Sequence, residues 1–85
     1  MKVMVTEKRE QEHRERVRIG IQLREAMEAA KMTVGEVAER TGLRVATVRN
    51  IITGRFNVGI DELVMVAECV GAEVNIEQVF NIMRR

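Results

Sequence analysis

The chain has 85 residues, room for one small domain with one core and too few for two. It is 46% apolar and 32% charged, with no Pro, Ser, Trp or Tyr, a composition that suits a helical globular protein. The net charge of +1 says nothing about an acidic partner, so any such information lies in how the charges are distributed.

A single cysteine, Cys69, excludes an internal disulfide. With the single histidine, His13, it leaves no plausible zinc set, so neither metal nor cofactor is expected. The chain has no Ser, His13 sits in a charged run, and Cys69 has no identifiable partner, so the nucleophile and base of an enzyme are missing and no catalytic residue is assigned. Gly54 and Gly59 lack the following Lys and the strand-to-helix context of a phosphate loop. No apolar run approaches the roughly 18 residues of a membrane span, and the N-terminus lacks the apolar region of a signal peptide. The expectation is a soluble, unexported, cytoplasmic protein with no membrane partner.

The opening MKVMV alternates and is partly β-branched, so Lys2 to Val5 reads as an edge strand, with Thr6 capping the helix that follows. From Glu7 to Lys31 only Gly20 interrupts helix formation. The charged part, Glu7 to Arg18, mixes both signs and reads as a solvated face rather than a nucleic-acid arm. Beyond it Ile19, Leu23, Ala26, Met27 and Ala30 form one stripe at helical spacing, which is core. Val17 and Ile21 lie on the opposite side, where something else must cover them.

Thr33 to Glu36 reads TVGE, a capping box, so a helix starts at Val34. Its inner stripe is Val34, Val37, Ala38 and Thr41, and Gly42 stops it as a left-handed glycine. A second short helix, Val45 to about Thr53, follows almost at once and ends at Gly54. A loop, RFNVG, leads to a helix from Ile60 to Val70, entered at Gly59 and closed by Gly71. The alternation around Val74 and Ile76 predicts a strand.

Two short helices joined by a tight glycine turn, the second with a polar outer face, describe a helix-turn-helix. The stretch TVGEVAERTGLRVATVRNIITG resembles that motif in the Cro and phage-repressor type, the xenobiotic-response-element family. Ala38 matches the small residue where the two helices touch, Gly42 the turn, and Leu43 the apolar residue after it. Val48 and Ile51 match the inward face of the recognition helix, and Gly54 the glycine behind it. The resemblance runs from about Ile21 to Val70. Three positions depart from the family pattern. Arg44 stands where Ser or Thr commonly caps the recognition helix, Ile52 stands where Glu is frequent, and Val34 replaces a Gln that often binds phosphate. The resemblance implies an all-α, lambda-repressor-like fold of four to five helices, to which the terminal segments add short β-strands. Residues 19–72 form the helix-turn-helix domain, 1–18 a strand and charged helical extension, and 73–85 a C-terminal strand and tail suited to dimerisation.

With Val45 set at zero on the helical wheel, Val48, Ile51 and Ile52 cluster on one side, leaving Ala46, Arg49, Asn50 and Thr53 outside. Arg pairs bidentately with guanine, Asn with adenine, and Ala or Val touches the thymine methyl. The resemblance implies that Val45, Ala46, Arg49 and Asn50 meet base edges. Arg40, Arg44, Arg49 and Arg55 fall between Glu39 and Asp61 with no acid among them, the charge distribution of a backbone-binding face. Arg44, Arg55 and Asn57, joined by the hydroxyls of Thr33, Thr47 and Thr53, are the phosphate candidates. Exposed aromatic rings for base stacking are lacking, since Phe56 and Phe80 are the only ones, which disfavours RNA and single strands.

In the helix Ile60 to Val70, the core stripe reads as Ile60, Leu63, Val64, Ala67 and Val70, and Met65, Val66 and Cys69 face away. That second apolar patch, with Val74 and Ile76, is the expected homodimer interface, which would set two recognition helices about 34 Å apart on a pseudo-palindromic operator. The C-terminal strand either crosses to the other subunit, beside MKVMV or over Val17 and Ile21, or covers its own subunit's core. The expected function is a sequence-specific double-stranded DNA-binding transcriptional regulator, a repressor. The rival reading is an antitoxin or other interaction module, whose toxin or protein partner would dock on the long N-terminal helix or the C-terminal strand.

Overall fold

The computed structural model describes residues 2–55 and 59–73, with side chains from His13 onward. Among these residues there are four helices and no strand: α1 (Lys2–Ala29), α2 (Val34–Thr41), α3 (Val45–Ile52) and α4 (Ile60–Val70). The fold of the described residues is all-α, as expected. Asn57, Val74, Ile76, Phe56, Phe80 and the C-terminal strand lie outside the described residues.

Lys2 to Val5 is the first turn of α1, and the edge strand expected there does not form. The reason lies in hydrogen bonding. A lone strand leaves its amides and carbonyls without a ladder, whereas extending an existing helix adds one internal bond per residue fixed. Thr6 is therefore interior to the helix. At 28 residues α1 is about 42 Å long and runs unbroken through the 18/19 boundary drawn from sequence.

α1 ends two residues earlier than Lys31. The Lys31 amide donates to the Glu28 carbonyl and the Met32 amide to the Met27 carbonyl, with Lys31 in the left-handed region at φ 58°. These are the two bonds of a Schellman cap, made here without glycine. Met32 then packs on the core, as the residue after such a cap often does.

α1 and α2 each pack on both α3 and α4. The core they enclose is Ile19, Leu23 and Met27 of α1, Val37 and Ala38 of α2, Val48, Ile51 and Ile52 of α3, and Leu63, Val66, Ala67 and Val70 of α4. The stripe expected on α1 holds except at its end, where Ala26 is half-buried and Ala30 exposed. On α4 the expected register was turned. Val66 is 0% exposed and Val64 only half-buried, because Leu63, Val66, Ala67 and Val70 supply the i, i+3, i+4, i+7 spacing that two flanking helices bury. Val66 therefore belongs to the core and is removed from the outward patch, leaving Met65, 40% exposed, and half-buried Cys69.

Candidate nucleic-acid interface

The helix pair that could enter a groove is positioned by its caps. Thr33 Oγ1 accepts from the Glu36 amide at 3.1 Å, and Glu36 Oε1 accepts from the Thr33 amide at 2.8 Å, so the capping box is complete. The hydrogen bonds from the Thr33 backbone and side chain, with a smaller contribution from Arg40, hold the Glu36 carboxyl below the usual carboxylate range. At the other end of α2, Gly42 lies at φ 78° and donates its amide to the Ala38 carbonyl at 2.8 Å. No atom lies within 4 Å of where a Cβ on Gly42 would stand, so the backbone angle rather than space requires glycine there.

Thr41 ties the turn together. Its hydroxyl donates to the Val37 carbonyl at 2.7 Å and accepts from the Leu43 amide at 3.3 Å. Sequence spacing placed Thr41 in the inner stripe of α2 and gave no hint of this bond across the turn. α3 then starts after Arg44, an extended N-cap whose side chain makes no capping bond. The first α3 amide bonded within the chain by its cap is that of Val48, which donates to the Arg44 carbonyl at 3.1 Å. The first-turn amides of Val45, Ala46 and Thr47 are thus left to outside acceptors, at the end of the helix where the dipole favours an anion.

The far end of α3 is fixed by two glycines. Gly54, at φ 76°, closes α3 with bonds from its own amide to the Ile51 carbonyl and from the Arg55 amide to the Asn50 carbonyl. A Cβ on Gly54 would lie 2.6 Å from Val17 Cα, and one on Gly20 would lie 2.8 Å from Gly54 N and 2.9 Å from Ile51 O. α1 and the end of α3 therefore cross backbone to backbone, and this contact half-buries Val17. Gly20 is the positioning residue that the sequence reading missed. The available signal was a glycine inside an otherwise uninterrupted helical pattern, where the helix propensity given up points to a packing reason.

These restraints present Ala46, Arg49 and Asn50 on the exposed side of α3, with Val45 40% exposed at its start. Val48, Ile51 and Ile52 face the core, as their spacing predicts. Arg44 and Arg55 are exposed at the two ends of the helix and Arg40 is exposed on α2. Among the described residues none of these four arginines, Arg49 included, forms an ion pair; the one pair present is Arg18 with Glu15 at 3.7 Å on α1. Thr33 is exposed and Thr47 half-buried. Thr53 is exposed, but its hydroxyl donates back to the Arg49 carbonyl at 2.8 Å, so its one proton is already engaged.

Among the described residues no helix is long and apolar enough to cross a membrane. A family model described as helix-turn-helix matches residues 23–74, more than half of the chain. No curated protein and no solved structure matches it. The matched span begins at Leu23 in the core stripe of α1 and takes in the cap at Thr33, the Gly42 turn, α3 and all of α4. The chain belongs to the Cro and phage-repressor type of helix-turn-helix proteins, the xenobiotic-response-element family of DNA-binding regulators.

Proposed function

We propose that this protein is a transcriptional repressor that reads a pseudo-palindromic operator in double-stranded DNA as a homodimer, with α3 in the major groove. The observation that carries the reading is the outer face of α3. Arg49 and Asn50, the two side chains best shaped for bidentate base contacts, stand exposed beside Ala46 and Val45, with basic groups at both ends of the helix and no acid between Glu39 and Asp61. Each bidentate pair discriminates by about 1–3 kcal/mol, and Ala46 and Val45 offer apolar contact to thymine methyl groups.

In this reading Arg44, Arg55 and Asn57 hold phosphates, assisted by Thr33, Thr47 and the uncapped first-turn amides of α3. Thr53 joins them only by giving up its bond to the Arg49 carbonyl. The work is done beside the DNA, in the cytoplasm. Homodimerisation belongs to the same proposal, because two half-sites one helical turn apart need two recognition helices. Of the α4 residues expected at the dimer interface, Met65 is exposed, Cys69 half-buried and Val66 buried in the core.

The test is selection from a randomised duplex pool at two salt concentrations. Recovery of a two-fold-related site whose binding weakens with salt supports the reading. A protein that selects nothing and shows no salt-dependent affinity contradicts it, and would favour the alternative in which the chain is an antitoxin or other protein-interaction module.

A further inference from the structure

Among the described residues no side chain covers the outer face of α1 around Ile21, and its charge order along the helix is self-complementary. His13, Arg14, Val17, Arg18 and Ile21 line an open groove on that face. Ile21 is 42% exposed, the most exposed large apolar side chain among the described residues, and Val17 beside it is half-buried. One and two turns further on, the same face carries exposed Glu25 and Glu28. From N- to C-terminus the face is therefore basic, then apolar, then acidic.

We propose that this face docks on the same face of a second copy, antiparallel, with Ile21 of both chains meeting on the two-fold axis. The spacing supports the pairing. Arg14 lies seven residues before Ile21 and Glu28 seven residues after it, each about 10 Å away along the axis. An antiparallel neighbour centred on Ile21 thus sets the partner's Glu28 level with Arg14. In the same way Val17 and Glu25 lie four residues either side of Ile21, which brings the partner's Glu25 level with Val17 and beside Arg18. Like charges stay apart: Arg24 would come level with the partner's Arg18, but the two positions are separated by about 120° around the helix and lie at opposite edges of the face. At 72% accessible the Arg18 side chain reaches solvent even while paired at 3.7 Å with Glu15, whose own side chain is only 20% accessible. Both copies contribute the same patch, as an isologous contact requires.

By comparison, the outward patch of α4 is small once Val66 has turned inward, and Arg40 and Glu68 rim it. The inference rests on the homodimer proposed above and places its interface on α1 rather than on α4; association is measured without DNA, so its outcome is separate from how α3 reads bases.

The experiment is sedimentation equilibrium of the full chain over a concentration series, with helicity checked by circular dichroism. Wild type is expected to self-associate, less tightly as salt rises. The double variants Arg14→Glu/Arg18→Glu and Glu25→Arg/Glu28→Arg each set like charges against each other across the two-fold axis and are expected to lose about tenfold or more in self-association. Mixed together, they are expected to form a heterodimer near wild-type affinity, while Met65→Glu leaves association unchanged. A wild-type chain that stays monomeric throughout overturns the proposal. So do charge variants that associate like wild type, a mixture that fails to restore association, or a Met65→Glu variant that abolishes it.

Discussion

Replacing Gly20 with Ala is the sharpest test of how α3 is held. Helix propensity alone favours Ala over Gly by about 1 kcal/mol in a helix interior. The structure opposes that gain. The new methyl would sit 2.8 Å from Gly54 N, 2.9 Å from Ile51 O and 3.1 Å from the Ile52 carbonyl carbon, all backbone atoms that cannot rotate aside. The only relief is to separate α1 from the end of α3, which loosens the packing of Ile19, Ile51 and Ile52. Overpacking of this kind costs about 1–3 kcal/mol, and three backbone contacts place it at the upper end, so the net loss is about 2 kcal/mol. For a domain of this size that lowers Tm by roughly 10 °C. Gly35 is the control. It also lies in a helix, but its nearest neighbour to an added Cβ is Thr33 Oγ1 at 3.9 Å, so Gly35→Ala gains up to about 1 kcal/mol. Thermal and urea denaturation followed by circular dichroism should move the two variants in opposite directions. A Gly20→Ala protein that melts above wild type would refute the backbone crossing as the reason for that glycine.

Arg44→Ser supplies the missing cap on α3 and is expected to stabilise the fold by about 0.5–2 kcal/mol, while DNA affinity falls and its salt slope shrinks by about one; denaturation and salt titration read the two effects separately. Lys31→Gly removes the left-handed lysine at the end of α1 and is expected to raise stability by up to about 1 kcal/mol, seen as a higher denaturation midpoint with an unchanged slope. The Glu36 carboxyl titrates lower in the folded chain than in the unfolded one, so its contribution is present above the ordinary carboxylate range and is lost as pH falls through the folded value. Glu36→Gln is therefore expected to flatten the acid side of the stability-versus-pH curve while leaving the region above neutrality with no change of slope.

How much of this was legible in the sequence depends on whether the cause was local. The Thr33–Glu36 box, the left-handed glycines at 42 and 71, and the bounds of α2, α3 and α4 follow from residues a few positions apart, and the structure carries them as expected. The sorting of α3 into Val48, Ile51 and Ile52 within and Ala46, Arg49 and Asn50 without was equally legible, because 100° per residue decides it. Three features escaped because their causes are tertiary or depend on context. The contact of Gly20 with Gly54 joins positions 34 residues apart. The choice between Val64 and Val66 depends on which helices flank α4. The alternation at Lys2–Val5 was too short to outweigh a helix already nucleated beyond it. Lys31 is a different case, since a left-handed cap formed by lysine has no composition signal to read.

The central claim is that the outer face of α3 reads bases while its flanking arginines hold the backbone. The measurement that tests it most directly is equilibrium binding of wild type, Arg49→Ala/Asn50→Ala and Arg44→Ala/Arg55→Ala to a selected duplex and to its scrambled counterpart at two salt concentrations. The account predicts that the first variant loses the preference for the selected duplex, by about 1–3 kcal/mol for each bidentate contact removed, and keeps much of its salt-dependent affinity for both. The second should weaken on both duplexes alike, with a smaller salt slope. Equal losses of preference and slope in the two variants would contradict the division of labour, and an unchanged preference in Arg49→Ala/Asn50→Ala would remove α3 from base reading.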